Sequence, residues 1–149
     1  MSEKVKQAVE RFEKGFNCSQ AVLSSYSEQF GLDCEMAYKV ATGFGGGMRA
    51  GDTCGAVTGA LMVLGLKYGN DTAENTQDKL NTYEKVEEYT KRFKARNGSV
   101  ICSKLLDCDM STPEGRKQAQ EKGLYSSICP KVVQDAAEVL EEILESRSD

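Results

Sequence analysis

The sequence contains no histidine and no tryptophan, and it has only two prolines in 149 residues. Without histidine, the chain has no Cys–His catalytic pair, no Cys₂His₂ zinc site and no C-x-x-C-H haem attachment motif. It also lacks any run of about 18 apolar residues, the length that spans a membrane. The first residues, MSEKVKQAVERFEKG, have no apolar core of the kind found in signal peptides. We therefore expect a cytoplasmic protein that is not inserted in a membrane.

The chain also lacks an excess of basic residues. It has 19 Lys and Arg against 23 Asp and Glu, a net charge of −4, and no basic cluster interleaved with aromatic residues. This balance argues against nucleic acid as a partner. A chain of this length is expected to form one domain, residues 1–149, with a core large enough to fold without disulfides.

The apolar residues recur at helical spacing and no stretch alternates as a strand does, which predicts an all-α, single-domain bundle of about six to seven helices without a sheet. The segment at about 53–68 is apolar on almost every side and is expected to be central, whereas the charged segment at about 76–96 is expected to be an outer helix. Gly55 and Gly59 stand four residues apart, a spacing that lets a neighbouring helix approach closely. The glycine-rich stretch GFGGGM before this segment excludes regular structure there.

Six cysteines are unusual in a chain that is expected to be cytoplasmic. In a reducing compartment, cysteines are metal ligands, redox thiols or core residues more often than partners in a disulfide. Cys18, Cys54, Cys102 and Cys129 each fall in the first turn of a predicted helix. The helix dipole and the free N–H groups there lower the pKa of a thiol and favour the reactive thiolate. Cys108, which follows an aspartate and precedes another, is the weaker candidate.

Cys54 is the candidate for the most activated thiol, with Arg49 or Lys131 as a nearby positive charge. The chain has no C-x-x-C pair, so neither a zinc ribbon nor a bacterial ferredoxin motif is present. A shared site has to be assembled from separate helices, as cofactor sites in helical bundles are. For each single cysteine, burial as a small apolar residue remains an alternative.

Four segments carry a resemblance to a known family: GFNCSQAV at 15–22, GFGGGM with CGAVTGALMVLG at 43–65, CSKLLDCD at 102–109, and YSSICPKVV at 125–133. In order and surroundings they resemble the redox-active protein family named for its cysteine pattern, C_GCAxxG_C_C. The resemblance covers essentially the whole chain. It implies that Cys18, Cys54, Cys102 and Cys129 are the signature residues, that Cys108 matches a frequent extra cysteine, and that Cys34 lies outside the pattern.

Three functions stay open at this point. The first is a redox module that uses these four cysteines, as an iron–sulfur electron carrier or a thiol/disulfide protein, acting as an oxidoreductase component with an unknown redox partner protein. The second is a non-redox Cys₄ protein that binds or senses zinc or copper(I). The third is a helical ligand-binding or interaction domain with packing cysteines. We expect the four thiols to lie close enough to share a metal or exchange disulfides. Whether the chain forms a homodimer, through residues 76–96 or through Gly55 and Gly59, stays open.

Overall fold

The computed structural model describes residues 1–146. Its α-helices are α1 (Glu3–Glu13), α2 (Cys18–Ser27), α3 (Cys34–Ala41), α4 (Gly55–Tyr68), α5 (Thr76–Asn97), α6 (Cys102–Leu106), α7 (Pro113–Glu121), α8 (Leu124–Ser127) and α9 (Cys129–Glu145). Seven of them have eight or more residues, while α6 and α8 are short. The described residues contain one isolated β-bridge, Thr53 with Ile101, and no strand. The predicted all-α fold without a sheet is confirmed.

Local sequence signals set the starts of the early helices. Asn17 caps α2 in a capping box with Gln20, in which each side chain bonds the backbone N–H of the other residue. Asp33 accepts from the backbone N–H of Met36 and caps α3. These caps place Cys18 and Cys34 at the first residue of their helices.

The later cysteines also stand at helix starts, although without side-chain caps. Cys102 and Cys129 are the first residues of α6 and α9. Cys54 is itself the N-cap of α4, so that helix begins slightly later than the sequence predicted.

Helix α4 lies at the centre of the main core, as its apolar character predicted. The buried side chains of this core come from α1, α2, α3, α4, α5 and α9. A methyl group added at Gly59 would lie 2.8 Å from the carbonyl oxygen of Ser19, which shows how closely α2 and α4 approach. The face of Gly55 and Gly59 is therefore occupied by α2 of the same chain, and it is not available for the dimer contact that the sequence left open.

The charged helix α5 packs on α9 through both apolar and polar contacts. Tyr89 and Phe93 are fully buried, and the Tyr89 hydroxyl donates to the carbonyl oxygen of Ala136 at 2.9 Å. Arg96 pairs with Glu138 at 2.9 Å and with Glu142 at 2.6 Å at the edge of this contact. The charged side of α5 is exposed, as expected for an outer helix.

A second, smaller cluster of buried side chains lies next to the segment that leads into α4, since its member Cys102 bonds the backbone of Asp52. It is formed by Cys102, Leu106, Cys108, Met110 and Ala119, with Leu124, Ile128 and Cys129 packed against it. No helix within residues 1–146 is both long and apolar enough to cross a membrane.

Candidate functional site

A cavity of about 580 Å³ is bordered by residues of both clusters, and Cys18, Cys54, Cys102 and Cys129 all line it. The structure thus brings the four signature cysteines to one place from four separate helix starts. Cys108 is buried in the second cluster and does not line the cavity. Cys34 lies apart, with its sulfur 3.2 Å from a carboxylate oxygen of Glu28.

The β-bridge ties Cys54 and Cys102 to each other. The backbone N–H of Cys54 donates to the carbonyl oxygen of Val100 at 2.7 Å. The backbone N–H of Cys102 donates to the carbonyl oxygen of Asp52 at 2.6 Å. Because these bonds flank the bridge, the starts of α4 and α6 are held side by side. This pairing joins residues almost fifty positions apart.

Two glycines provide the space for these cysteines. A methyl group at Gly55 would lie 2.5 Å from Sγ of Cys18, and one at Gly47 would lie 2.9 Å from Cβ of Cys102. Distances this short exclude any side chain unless neighbours move. The glycine that directly follows Cys54 is therefore required by the approach of the Cys18 sulfur.

The glycine-rich segment turns left-handed beside the site. Gly46, Met48 and Arg49 have φ values of 65°, 60° and 61°. This conformation is costly for residues other than glycine, by roughly 1–2 kcal/mol each. It positions the backbone N–H of Gly46 to donate to the Cys18 sulfur.

Hydrogen bonds lower the pKa of Cys18 to about 7, from an ordinary value of 9. The largest cause is the hydrogen bond from the Cys54 thiol, and the backbone N–H groups of Gly46, Ala56 and Ser19 add to it against the opposing effect of burial. Cys54 donates to Cys18 and is buried, and both effects raise its pKa well above the ordinary value. Of the two thiols it is thus Cys18 whose pKa is lowered, whereas the sequence had pointed to Cys54.

The expected positive charges do not contribute to this activation. The ammonium of Lys131 pairs with Asp135 at 2.8 Å, and Arg49 is exposed. Neither is among the groups that lower the pKa of Cys18. Oriented backbone N–H groups and one neighbouring thiol replace them.

Burial dominates at the other two cysteines of the cavity. Burial, with the negative charge of Cys18 as a smaller cause, raises the pKa of Cys102 to about 11 and that of Cys129 to about 12. The prediction that each helix start lowers the pKa of its thiol is thus wrong for Cys54, Cys102 and Cys129. At Cys102 and Cys129 the loss of solvent outweighs the helix dipole, and at Cys54 the interaction with Cys18 is the largest cause, followed by burial.

Four thiols are suitable donors for iron–sulfur clusters or zinc. Their arrangement does not fit such a group, because within residues 1–146 no set of three or more His, Cys, Asp or Glu side chains is placed to hold a metal ion. What the arrangement provides directly is one closely spaced pair, Cys18 with Cys54, and two further thiols that line the same cavity.

Sequence reasoning missed two parts of the site. The donor groups of Gly46 and Ala56 are backbone atoms, and no residue type marks them. Apolar side chains also form much of the cavity wall, among them Phe12, Phe16 and Leu105. The glycines of GFGGGM and CGA were the one available signal, because they indicate a close backbone approach.

A family model described as "Putative redox-active protein (C_GCAxxG_C_C)" matches residues 16–143. The matched span includes all four cysteines that line the cavity. No curated protein and no solved structure matches the chain.

Proposed function

The chain belongs to the C_GCAxxG_C_C family of redox-active proteins, and we propose that it is a thiol/disulfide redox module whose reactive dithiol is Cys18 and Cys54. The observation that carries the proposal is that Cys18 and Cys54 line one cavity and lie close enough for each thiol to shift the pKa of the other, Cys18 downwards and Cys54 upwards. A thiol with a pKa near ambient pH is the most effective attacking group in disulfide exchange. Cys18 meets this condition and has a second thiol within reach.

The reaction follows from the protonation states of the pair. The Cys18 thiolate attacks one sulfur of a substrate disulfide, and that S–S bond breaks as a mixed disulfide forms and the first substrate thiolate leaves. Cys54 gives its proton to the departing thiolate and attacks Sγ of Cys18. The second substrate sulfur then leaves as a thiolate, and the protein holds a Cys18–Cys54 disulfide. Two electrons have passed to the substrate.

Oxidation of the pair also changes the other two thiols. The negative charge of Cys18 raises the pKa of Cys102 and of Cys129. Once Cys18 is in a disulfide this charge is gone, so both thiols ionise more readily. We infer that Cys102 and Cys129 act second, by exchange with the newly formed disulfide.

Turnover requires a reductant for that disulfide, and we propose a partner protein with a dithiol of lower potential. A reducing cytoplasm would keep the six cysteines free. In this role the chain is an oxidoreductase component that passes electron pairs between partners.

A metal-binding function is the second candidate, because all four signature cysteines border one cavity. Cys18, Cys54, Cys102 and Cys129 would be the ligands. A [2Fe–2S] or [4Fe–4S] cluster would supply electron transfer, and zinc or copper(I) would supply a structural or sensing role. Since the described side chains form no ligand set, this function requires them to move together, and we rank it second.

An equilibrium redox titration of anaerobically purified protein separates the two candidates. The protein is equilibrated with reduced and oxidised dithiothreitol, the free thiols are alkylated, and mass spectrometry counts them. We expect metal-free protein that loses two thiols in one two-electron step, with a slope of about 30 mV per tenfold change in ratio. Stoichiometric iron with acid-labile sulfide, or stoichiometric zinc, would contradict the dithiol proposal.

Serine variants make the assignment specific. Cys18→Ser and Cys54→Ser are each expected to abolish the two-thiol step. Cys34→Ser is the matched control, because Cys34 also begins a helix but lies outside the cavity. It should leave the titration unchanged, and loss of the step in this variant would argue against the assigned pair.

A further inference from the structure

We propose that the cavity beside Cys18 binds a neutral, largely apolar small molecule, and that the disulfide reduced there belongs to such a molecule. The inference rests on the proposed dithiol function for its chemistry. The proposal that a ligand binds there rests on the size and the lining of the cavity.

The cavity has the size and the wall of a small-molecule site. Its volume of about 580 Å³ lies within the range of about 300–1,000 Å³ that is usual for such sites. The apolar part of the wall is formed by Phe12, Phe16, Leu105, Leu106, Met110 and Val132. Phe16 is held in place by stacking on Tyr38, with ring centroids 3.9 Å apart.

The charges of the wall select against an anionic ligand. Among the described residues that line the cavity there is no Lys or Arg, and Glu13 contributes a negative charge at an exposed position. The Cys18 thiolate adds a second one. Arg49 and Arg116 are close enough to act on Tyr125 of the wall, but neither lines the cavity. A carboxylate brought into this space would therefore lose water without gaining a cation in direct contact, which is unfavourable. A neutral ligand carries no such cost and gains from burial of its apolar atoms.

The cysteines are placed to react with a ligand in this space. Cys18 is partly exposed and lines the cavity, while Cys54 lies deeper. The thiolate would attack the ligand disulfide and release the first half as a thiolate, which takes the Cys54 proton. Cys54 would then displace the second half, leaving a Cys18–Cys54 disulfide and both halves of the ligand reduced.

Two disulfides with the same carbon chain length test the charge argument. Dipropyl disulfide is neutral, and dithiodipropionate has the same skeleton with a carboxylate at each end. The rate of single-turnover oxidation of the reduced protein is measured with each disulfide. It is then divided by the rate at which the same disulfide oxidises free dithiothreitol in solution. We expect a ratio at least about tenfold in favour of dipropyl disulfide, the gain if its two terminal methyl groups, which stand where the dianion has carboxylates, leave water. Equal normalised rates, or a preference for the dianion, would overturn the inference.

A pair of variants on α8 tests the location. Ser126 is exposed and lines the cavity, whereas its neighbour Ser127 is exposed but does not line it. Ser126→Trp should slow oxidation by dipropyl disulfide at least about tenfold, since the indole removes space that the ligand needs. Ser127→Trp should leave the rate unchanged. Equal rates in the two variants would place the binding elsewhere.

Failure of the binding and failure of the redox function are distinguishable. In a Cys18→Ser/Cys54→Ser variant, saturation-transfer NMR with dipropyl disulfide reports binding without the dithiol reaction. Binding that survives here and is lost on adding Ser126→Trp supports the cavity assignment, even if the wild-type protein proves inert. No binding in this variant, with wild-type oxidation still fast, would reject the cavity and leave the dithiol proposal standing.

Discussion

The neighbouring thiol and nearby backbone N–H groups determine which cysteine of the pair has the lower pKa. Cys18 accepts from the N–H groups of Gly46, Ala56 and Ser19 and from the Cys54 thiol, whereas Cys54 has Ala56 as its backbone donor. More donors around one sulfur mean that the shared negative charge settles there. The pKa difference within the pair therefore depends on the Cys54 thiol and, to a smaller extent, on three N–H groups that carry no side-chain identity.

Alkylation at graded pH tests this assignment. The rate of iodoacetamide labelling at Cys18, followed by peptide mass spectrometry, should reach half of its maximum near pH 7, because the thiolate is the reacting form. Cys34 is the internal control, because burial and Glu28 raise its pKa above the ordinary value. Labelling of Cys54 ahead of Cys18, or a Cys18 profile centred near pH 9, would contradict the assignment.

The helix starts could be predicted because their signals are local. Asn17 and Asp33 are residue types typical of N-caps and they cap α2 and α3, and Gly59 permits the close approach of α2 to α4. The order of the thiol pKa values could not be predicted in the same way. It depends on burial and on the bridge between Thr53 and Ile101, which only the tertiary fold brings together.

The element that carries most of the site is the start of α4. Cys54 caps it, Gly55 leaves room for the Cys18 sulfur, and Ala56 supplies an N–H group to that sulfur. Gly65, near the other end of the same helix, is exposed, and a methyl group added there would meet nothing within 4 Å. The two glycines therefore differ in role although they share a helix.

Substituting each glycine by alanine should have opposite effects. Gly65→Ala should stabilise the protein by up to about 1 kcal/mol, the helix preference of alanine over glycine. Gly55→Ala should destabilise it by about 1–3 kcal/mol, because the methyl group meets Sγ of Cys18 and the backbone of Phe44 and Ser19. Denaturant unfolding measures both changes.

The Gly55→Ala variant carries a second readout. Moving the Cys18 sulfur away from its N–H donors should shift its alkylation profile to higher pH, while Gly65→Ala leaves the profile unchanged. A Gly55→Ala protein with wild-type stability and a wild-type profile would show that the close approach at Gly55 does not set the thiol chemistry.

Across the whole molecule, the site lies where the two buried clusters meet. Cys54 belongs to the main core and Cys18 packs against it, whereas Cys102 belongs to the smaller cluster and Cys129 packs against that one. The hydrogen bond joins the two thiols of the main core, and electrostatic repulsion acts between that pair and the other two thiols. This arrangement predicts an order of oxidation, with the Cys18–Cys54 pair first.

The most direct measurement is the identity of the first disulfide formed. Fully reduced, anaerobic protein is given one equivalent of a two-electron thiol oxidant at pH 7, free thiols are blocked, and the linked peptides are identified by mass spectrometry. The account predicts a Cys18–Cys54 linkage, with Cys102 and Cys129 still alkylated. A first linkage between Cys102 and Cys129, or no linkage because a stoichiometric metal holds the four sulfurs, would contradict it.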